Sequence, residues 1–243
     1  MKWLLFSVLF GSAINVNADA VTSRLPAEFR ATFELYKSSL LVAETQYQLQ
    51  KTKQQARFES HTELKGLLSL FNDTRVSELS LFDISSARQS KLTSYEFIQT
   101  GEKPQHISST VDWDTHRVST VIDNTATTTD FKQTLWDNHS ILLALISNAG
   151  HNLSQLSFNV LVHDKIKRIS FERLGLNTLE IEDDENDSNE NSKTVAVWQR
   201  SYDNKTVVFY LDPSANYFPL KIEKFKNQQL EATLWLTELN TNE

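Results

Sequence analysis

The sequence predicts a mainly β protein: a single curved antiparallel sheet, half-barrel or open barrel of about ten or more strands, with one helix packed on it. Three observations predict this. Apolar and polar residues alternate through most of the chain, short polar links separate the alternating runs, and one segment near 137–150 carries apolar residues at helical spacing.

The alternation starts at Phe29. Phe29, Ala31, Phe33 and Leu35 interleave with Arg30, Thr32, Glu34 and Tyr36, and Leu41, Ala43, Tyr47 and Leu49 with Glu44, Gln46 and Gln48. Successive side chains of a strand point to opposite faces, so each run has one apolar and one wet face. The pattern recurs at 76–82, 92–99, 107–113, 118–122, 156–163 and 166–174, then at 195–202, 207–211, 217–225 and 230–237. Links such as Gly101-Glu102-Lys103-Pro104, Asp203-Asn204-Lys205 and Lys226-Asn227-Gln228 suit the hairpins of a meander rather than βαβ units.

Two segments break the rhythm. Ile141, Leu142, Leu145, Ile146 and Ala149 share a helical face, with Asp137 as N-cap and Asn148 or Gly150 as stop. This predicts a helix plugging one end or face of the sheet. A weaker helical turn is expected at 64–71, where Lys65-Gly66 interrupts the alternation.

Residues 1–20 have the layout of a secretory signal: Lys2, an apolar run at 3–10, and small residues at Val16/Ala18 or Ala18/Ala20 for cleavage. A membrane span needs roughly 20 predominantly apolar residues, and Asn15, Asn17 and Asp19 interrupt this one early. No second run of spanning length follows. The expected product is a single β-rich domain over 21–243, in the periplasm and not membrane-spanning. Cysteine is absent, which removes thiol catalysis and zinc-thiolate sites. About 220 residues bury a core without disulfides. The net charge of −7 gives no general attraction for nucleic acid or an anionic bilayer, and no basic cluster stands out along the chain.

Catalytic motifs are missing. The six histidines form no HxH or HExxH pair, and the five glycines supply neither a GxSxG elbow nor a phosphate loop. Asp137-Asn138-His139-Ser140 gathers polar groups at the helix start, where capping by Asp137 or Ser140 accounts for them. The acidic run at 180–190 reads as a solvated hairpin loop, flexible over 180–192. As a calcium loop starting at Asp183 it would place Ser188 and Thr194 where the EF-hand requires Gly and Glu. The expectation is therefore no enzyme, no metal and no cofactor. Four tryptophans follow the signal: Trp113, Trp136, Trp198 and Trp235. They fill a core or line an apolar pocket. Phe33, Leu35, Trp113, Leu142, Leu145, Ile146, Trp198 and Trp235 are the candidate pocket and lid residues.

The order of landmarks resembles the exported bacterial family catalogued as domain of unknown function 3108. The carrying segments are LPAEFRATFELYKSSLLVAETQYQL at 25–49, ELKGLLSLF at 63–71, VDWDTHRV at 111–118, WDNHSILLAL at 136–145, LGLNTLEI at 174–181 and FYLDPSANYFPLKIE at 209–223. Two departures are Ala43-Glu44, where the family has a glycine, and the acidic run, which looks like an insertion. The resemblance implies a curved periplasmic sheet covered by a helix, similar to the half-barrel of lipoprotein carriers, with no catalytic residues to carry over. It also implies that Asp137, Ser140 and Pro219 are structural positions. The expected function is a non-catalytic binding protein for a lipid or acyl chain. The alternatives are an envelope structural or interaction protein and an envelope hydrolase.

Overall fold

The computed structural model describes residues 24–70, 73–86, 89–181 and 191–241. The expected signal at 1–20 and most of the acidic loop (182–190) lie outside them. Fifteen strands form one sheet: β1 (Phe29–Lys37), β2 (Leu40–Lys51), β3 (Gln55–Leu64), β4 (Arg75–Asp83), β5 (Lys91–Gln99), β6 (Gln105–Asp112), β7 (Arg117–Ile122), β8 (Thr125–Asp130), β9 (Leu135–Asp137), β10 (Gln155–Val162), β11 (Lys165–Ile181), β12 (Asn191–Tyr202), β13 (Lys205–Asp212), β14 (Phe218–Lys226) and β15 (Gln229–Thr241). Helix α1 (Ile141–Asn148) separates β9 from β10, and a 3-10 turn at Gly66–Leu70 stands where the helical turn was expected.

The sheet order runs β8 back to β1, then β15 back to β9. The chain thus starts mid-sheet, and β1 is bonded to both β2 and β15. Neighbours are antiparallel except β9 and β10, which are parallel. That exception corrects the expectation of a purely antiparallel sheet. A parallel return needs a long crossover, and the segment containing α1 provides it.

The sheet curls until its far parts touch, without closing into a barrel by strand pairing. Trp136 on β9 meets Phe82 on β4 with ring centroids 5.7 Å apart, although those strands are far apart in the sheet order. The Thr129 hydroxyl on edge strand β8 donates to the Asp164 carbonyl in the β10–β11 turn at 2.7 Å. One core cluster fills the concavity, running from Phe29 and Phe33 through Phe58, Phe82, Trp136 and Phe171 to Trp198 and Phe218. Residues Leu143, Ala144 and Leu145 of α1 are fully buried within it. The helix therefore plugs the sheet as expected. Of the two caps expected at its start, Asp137 and Ser140, the second holds the position. Ser140 is the N-cap, while Asp137 ends β9 and its Oδ1 accepts the backbone N–H of His139 (2.9 Å) and Ser140 (2.7 Å).

A smaller cluster lies on the opposite face of the sheet, where Leu179, Val195, Val197 and Leu220 pack with Tyr210 and Trp235. β12 serves both clusters. Ala196 and Trp198 face the main core, and Val195 and Val197 face the other.

Candidate functional site

Two constructions inside the sheet hold chemistry that apolar packing does not explain. The first is a buried polar band on the concave face. Pairing register places Leu49, Phe58, Ser80, Tyr95, Ser109 and Thr120 in one row across β2 to β7, and Tyr47, Ser60 and Glu78 in the next. Ser60, Ser80, Ser109 and Thr120 are all buried. Neighbouring hydroxyls satisfy some of these groups, as Ser109 and Thr120 do at 2.9 Å.

The 137–140 turn is set against this band. The His139 ring stacks on Phe58 at 4.1 Å between centroids, and its Nδ1 is hydrogen-bonded to the Ser80 hydroxyl at 3.0 Å. Its Nε2 is buried with no hydrogen-bond partner. Burial holds the imidazole neutral, with its pKa lowered to about 3. Asp137 is fully buried too, and burial raises its carboxyl to about 6 against the hydrogen bonds from Ser140, Ser80 and His139. Beside it, Glu78 accepts from the Tyr95 hydroxyl at 2.7 Å. Burial raises Glu78 to about 7, the Tyr95 hydrogen bond opposes the rise, and the Asp137 charge adds to it.

Serine, histidine and aspartate thus come together, but not as a nucleophile with access to substrate. Ser80 is completely buried, so its bond to His139 anchors the turn to β4. No group of three or more His, Cys, Asp or Glu side chains able to hold a metal occurs among the described residues.

The second construction is a groove of about 490 Å³ at the C-terminal end of α1, lined by Pro26, Ala27, Ile146, Ser147, Gly150, His151, Asn216 and Tyr217. The 212–217 turn builds one wall. Asp212 Oδ1 accepts the Ser214 N–H (2.8 Å) and hydroxyl (2.6 Å), and the Tyr217 N–H returns to the Asp212 carbonyl. Asn216 and Tyr217 are both left-handed, with φ of 52° and 61°. That conformation costs a non-glycine residue about 1–2 kcal/mol. It sets the Tyr217 ring against Gly150, where a Cβ would lie 2.6 Å from the ring. Glycine is needed there for the close approach.

The eight residues singled out from sequence are not gathered in one pocket. Phe33, Leu145, Ile146 and Trp198 belong to the main core, with Trp113 and Leu142 packed against it. The Trp113 Nε1 donates to the Leu92 carbonyl at 2.7 Å. Trp235 lies in the opposite-face cluster, with the Lys221 ammonium 4.7 Å from its ring centroid. Leu35 sits half-buried at the β1–β2 bulge. Ile146 alone of the eight lines the groove. Sequence reasoning missed Glu78, Ser80 and Tyr95 in the band and Tyr217 in the groove. Gly150 and the DPSANYFP segment were the available signals for the groove.

Fold and site define an open, barrel-like β protein whose concavity is filled by its own helix and core. A crystal structure of a beta-barrel-like protein of domain of unknown function DUF1849 from Brucella abortus has the same overall fold. The TM-score is 0.54 at 11% identity, covering 92% of this chain and 100% of that one. The family model described as protein of unknown function (DUF3108) matches residues 28–234, and the chain belongs to that family. No curated protein matches it.

Proposed function

We propose that this chain is a non-catalytic periplasmic binding protein that holds an apolar ligand, a lipid or acyl chain, against the end of α1. The observation that carries the reading is the groove beside Ile146. Its volume falls in the range of roughly 300–1,000 Å³ typical of small-molecule sites. Its walls suit an alkyl chain. Ile146, Pro26 and Ala27 supply apolar surface, the Tyr217 ring supplies a flat face, and His151 supplies a polar group for a headgroup. The signal-like residues 1–20 support delivery to the periplasm.

Native mass spectrometry of a chain starting at Val21, purified without detergent, tests this. Bound lipid or saturable uptake of a fluorescent fatty acid is expected, with both lost in Ala27→Glu, an exposed position on the groove wall. No bound lipid and no uptake would reject the reading.

A specific observation favours a second reading. The centre of the concavity is packed solid, with Trp136, Trp198, Phe58 and Leu143 almost without exposure. An envelope interaction protein needs no cavity. It is the reading to adopt if the fatty acid is not taken up.

A further inference from the structure

We propose, on the reading that the groove beside Ile146 takes an apolar ligand, that protons on the buried Glu78 and Asp137 carboxyls keep this groove formed and that their loss opens it. Helix α1 links the two places. It starts directly after Asp137 and His139, and its Ile146 and Ser147 are groove wall. Eight helical residues span about 12 Å, so a movement at the first turn reaches the groove with no hinge between.

The two carboxyls have no counter-charge. No ion pair among the described residues includes either of them. Asp137 Oδ2 is buried without a hydrogen-bond partner. Tyr47 from β2, Ser60 from β3, Tyr95 from β5 and His139 from the turn face the pair, and α1 itself carries no titratable side chain. Burial holds His139 neutral and pushes both phenols up. In this cluster, the charge that changes between pH 5 and 8 therefore belongs to Glu78 and Asp137. Two uncompensated carboxylates are relieved by water. Residues 138–140 beside them belong to no strand, so lifting that turn admits water and leaves the strand ladders intact.

The far end of α1 registers the same movement. Ile146, Ser147, Gly150 and His151 form one wall of the groove, while Pro26, Ala27, Asn216 and Tyr217 come from other segments. Gly150 lies so close to the Tyr217 ring that a Cβ would fall 2.6 Å from it. Lifting α1 parts these walls and removes the apolar contact on both sides of a bound chain. Ligand and protons then favour each other, as any two species that prefer the same conformation must. The rise of Glu78 from 4.5 to about 7 in the seated state sets a ceiling of about 300-fold on the change in seating.

The test is titration of the chain starting at Val21, which retains every described residue, with N-phenyl-1-naphthylamine. This apolar fluorophore is uncharged between pH 5 and 8, so the pH dependence belongs to the protein. Wild-type affinity should be roughly tenfold weaker at pH 8 than at pH 5. Glu78→Gln should keep most of its pH 5 affinity at pH 8, and Ala27→Glu should lose binding at every pH. Circular dichroism checks that both variants fold. Binding to the wild type at pH 7 should also take up a fraction of a proton, measured calorimetrically in buffers of different ionisation enthalpy. Equal wild-type affinity at pH 5 and 8 without proton uptake, or an unchanged pH dependence in Glu78→Gln, would overturn the proposal and leave the groove reading standing. No binding at any pH, or binding that survives Ala27→Glu, would overturn both.

Discussion

Replacing Glu78 by Gln should stabilise the protein at pH 8 and leave it nearly unchanged at pH 4.5. Glu78 is raised from 4.5 to about 7 by burial beside Asp137. A carboxyl raised on folding contributes stability that is fully present below its unfolded pKa and is lost as pH rises through its folded pKa. The window therefore runs from about 4.5 to about 7. At about 1.4 kcal/mol per pKa unit, the rise corresponds to about 3 kcal/mol. Glutamine keeps a carbonyl for the Tyr95 hydroxyl, which now donates to Glu78 at 2.7 Å, and carries no charge to lose. It also removes the charge facing Asp137, which acts in the same direction. Urea unfolding of both proteins, followed by tryptophan fluorescence at a series of pH values, measures the difference while shared surface titrations cancel. A stability gap that does not change between pH 4.5 and 8 would refute the reasoning.

Two further substitutions test the core. His139→Phe keeps the stack on Phe58 and removes the titrating ring. A histidine lowered to about 3 contributes stability that is present above its unfolded pKa near 6.5 and lost as pH falls towards 3. The wild type should therefore lose up to about 5 kcal/mol more than the variant between those values, read from acid-unfolding curves. Trp198→Ala should cost about 3–5 kcal/mol in urea unfolding, as a fully buried indole is deleted. Trp198→Phe should cost less than half of that, because the buried Nε1 has no partner to lose.

The sheet was legible because its strands alternate, and α1 because it is the strongest apolar run at helical spacing after the signal. Strands β3, β8 and β9 were not read: β9 is three residues long and its Asp137 was taken into the helix start, and the other two share one reason. Their paired rows carry Ser60 and Thr62, or Thr125, Thr127 and Thr129, where an alternation reading looks for aliphatics. β4 shows why the polar band was hidden. Alternation alone would turn Leu79 and Leu81 inward, yet Ser80 and Phe82 are buried while Leu79 and Leu81 are only half-buried. The inversion makes sense once the 137–140 turn supplies His139 and Asp137 as partners. That partnership spans 59 residues for Ser80 and His139, a separation no local pattern reports. The groove was hidden for a related reason. Its walls come from 26–27, 146–151 and 216–217, and only the fold brings these together.

The two halves of the concave face explain why α1 is the element to watch. Leu143 and Leu145 seat it in the apolar core, while the turn before it rests on Ser80 beside Glu78 and Tyr95. Ionising Glu78 and Asp137 as pH rises from about 5 to about 8 places two like charges under that turn and leaves the apolar contacts unchanged. The cost falls on the local seating of α1 before it falls on the strand ladders, whose hydrogen bonds involve neither carboxylate. Amide hydrogen exchange should therefore show α1 losing protection relative to β1 and β2 between pH 5 and 8, after correction for the intrinsic pH dependence of exchange. Glu78→Gln should remove most of that difference. Uniform loss across the sheet would place the opening in the whole domain rather than in the helix, and an equal change in Glu78→Gln would show that Glu78 does not cause it.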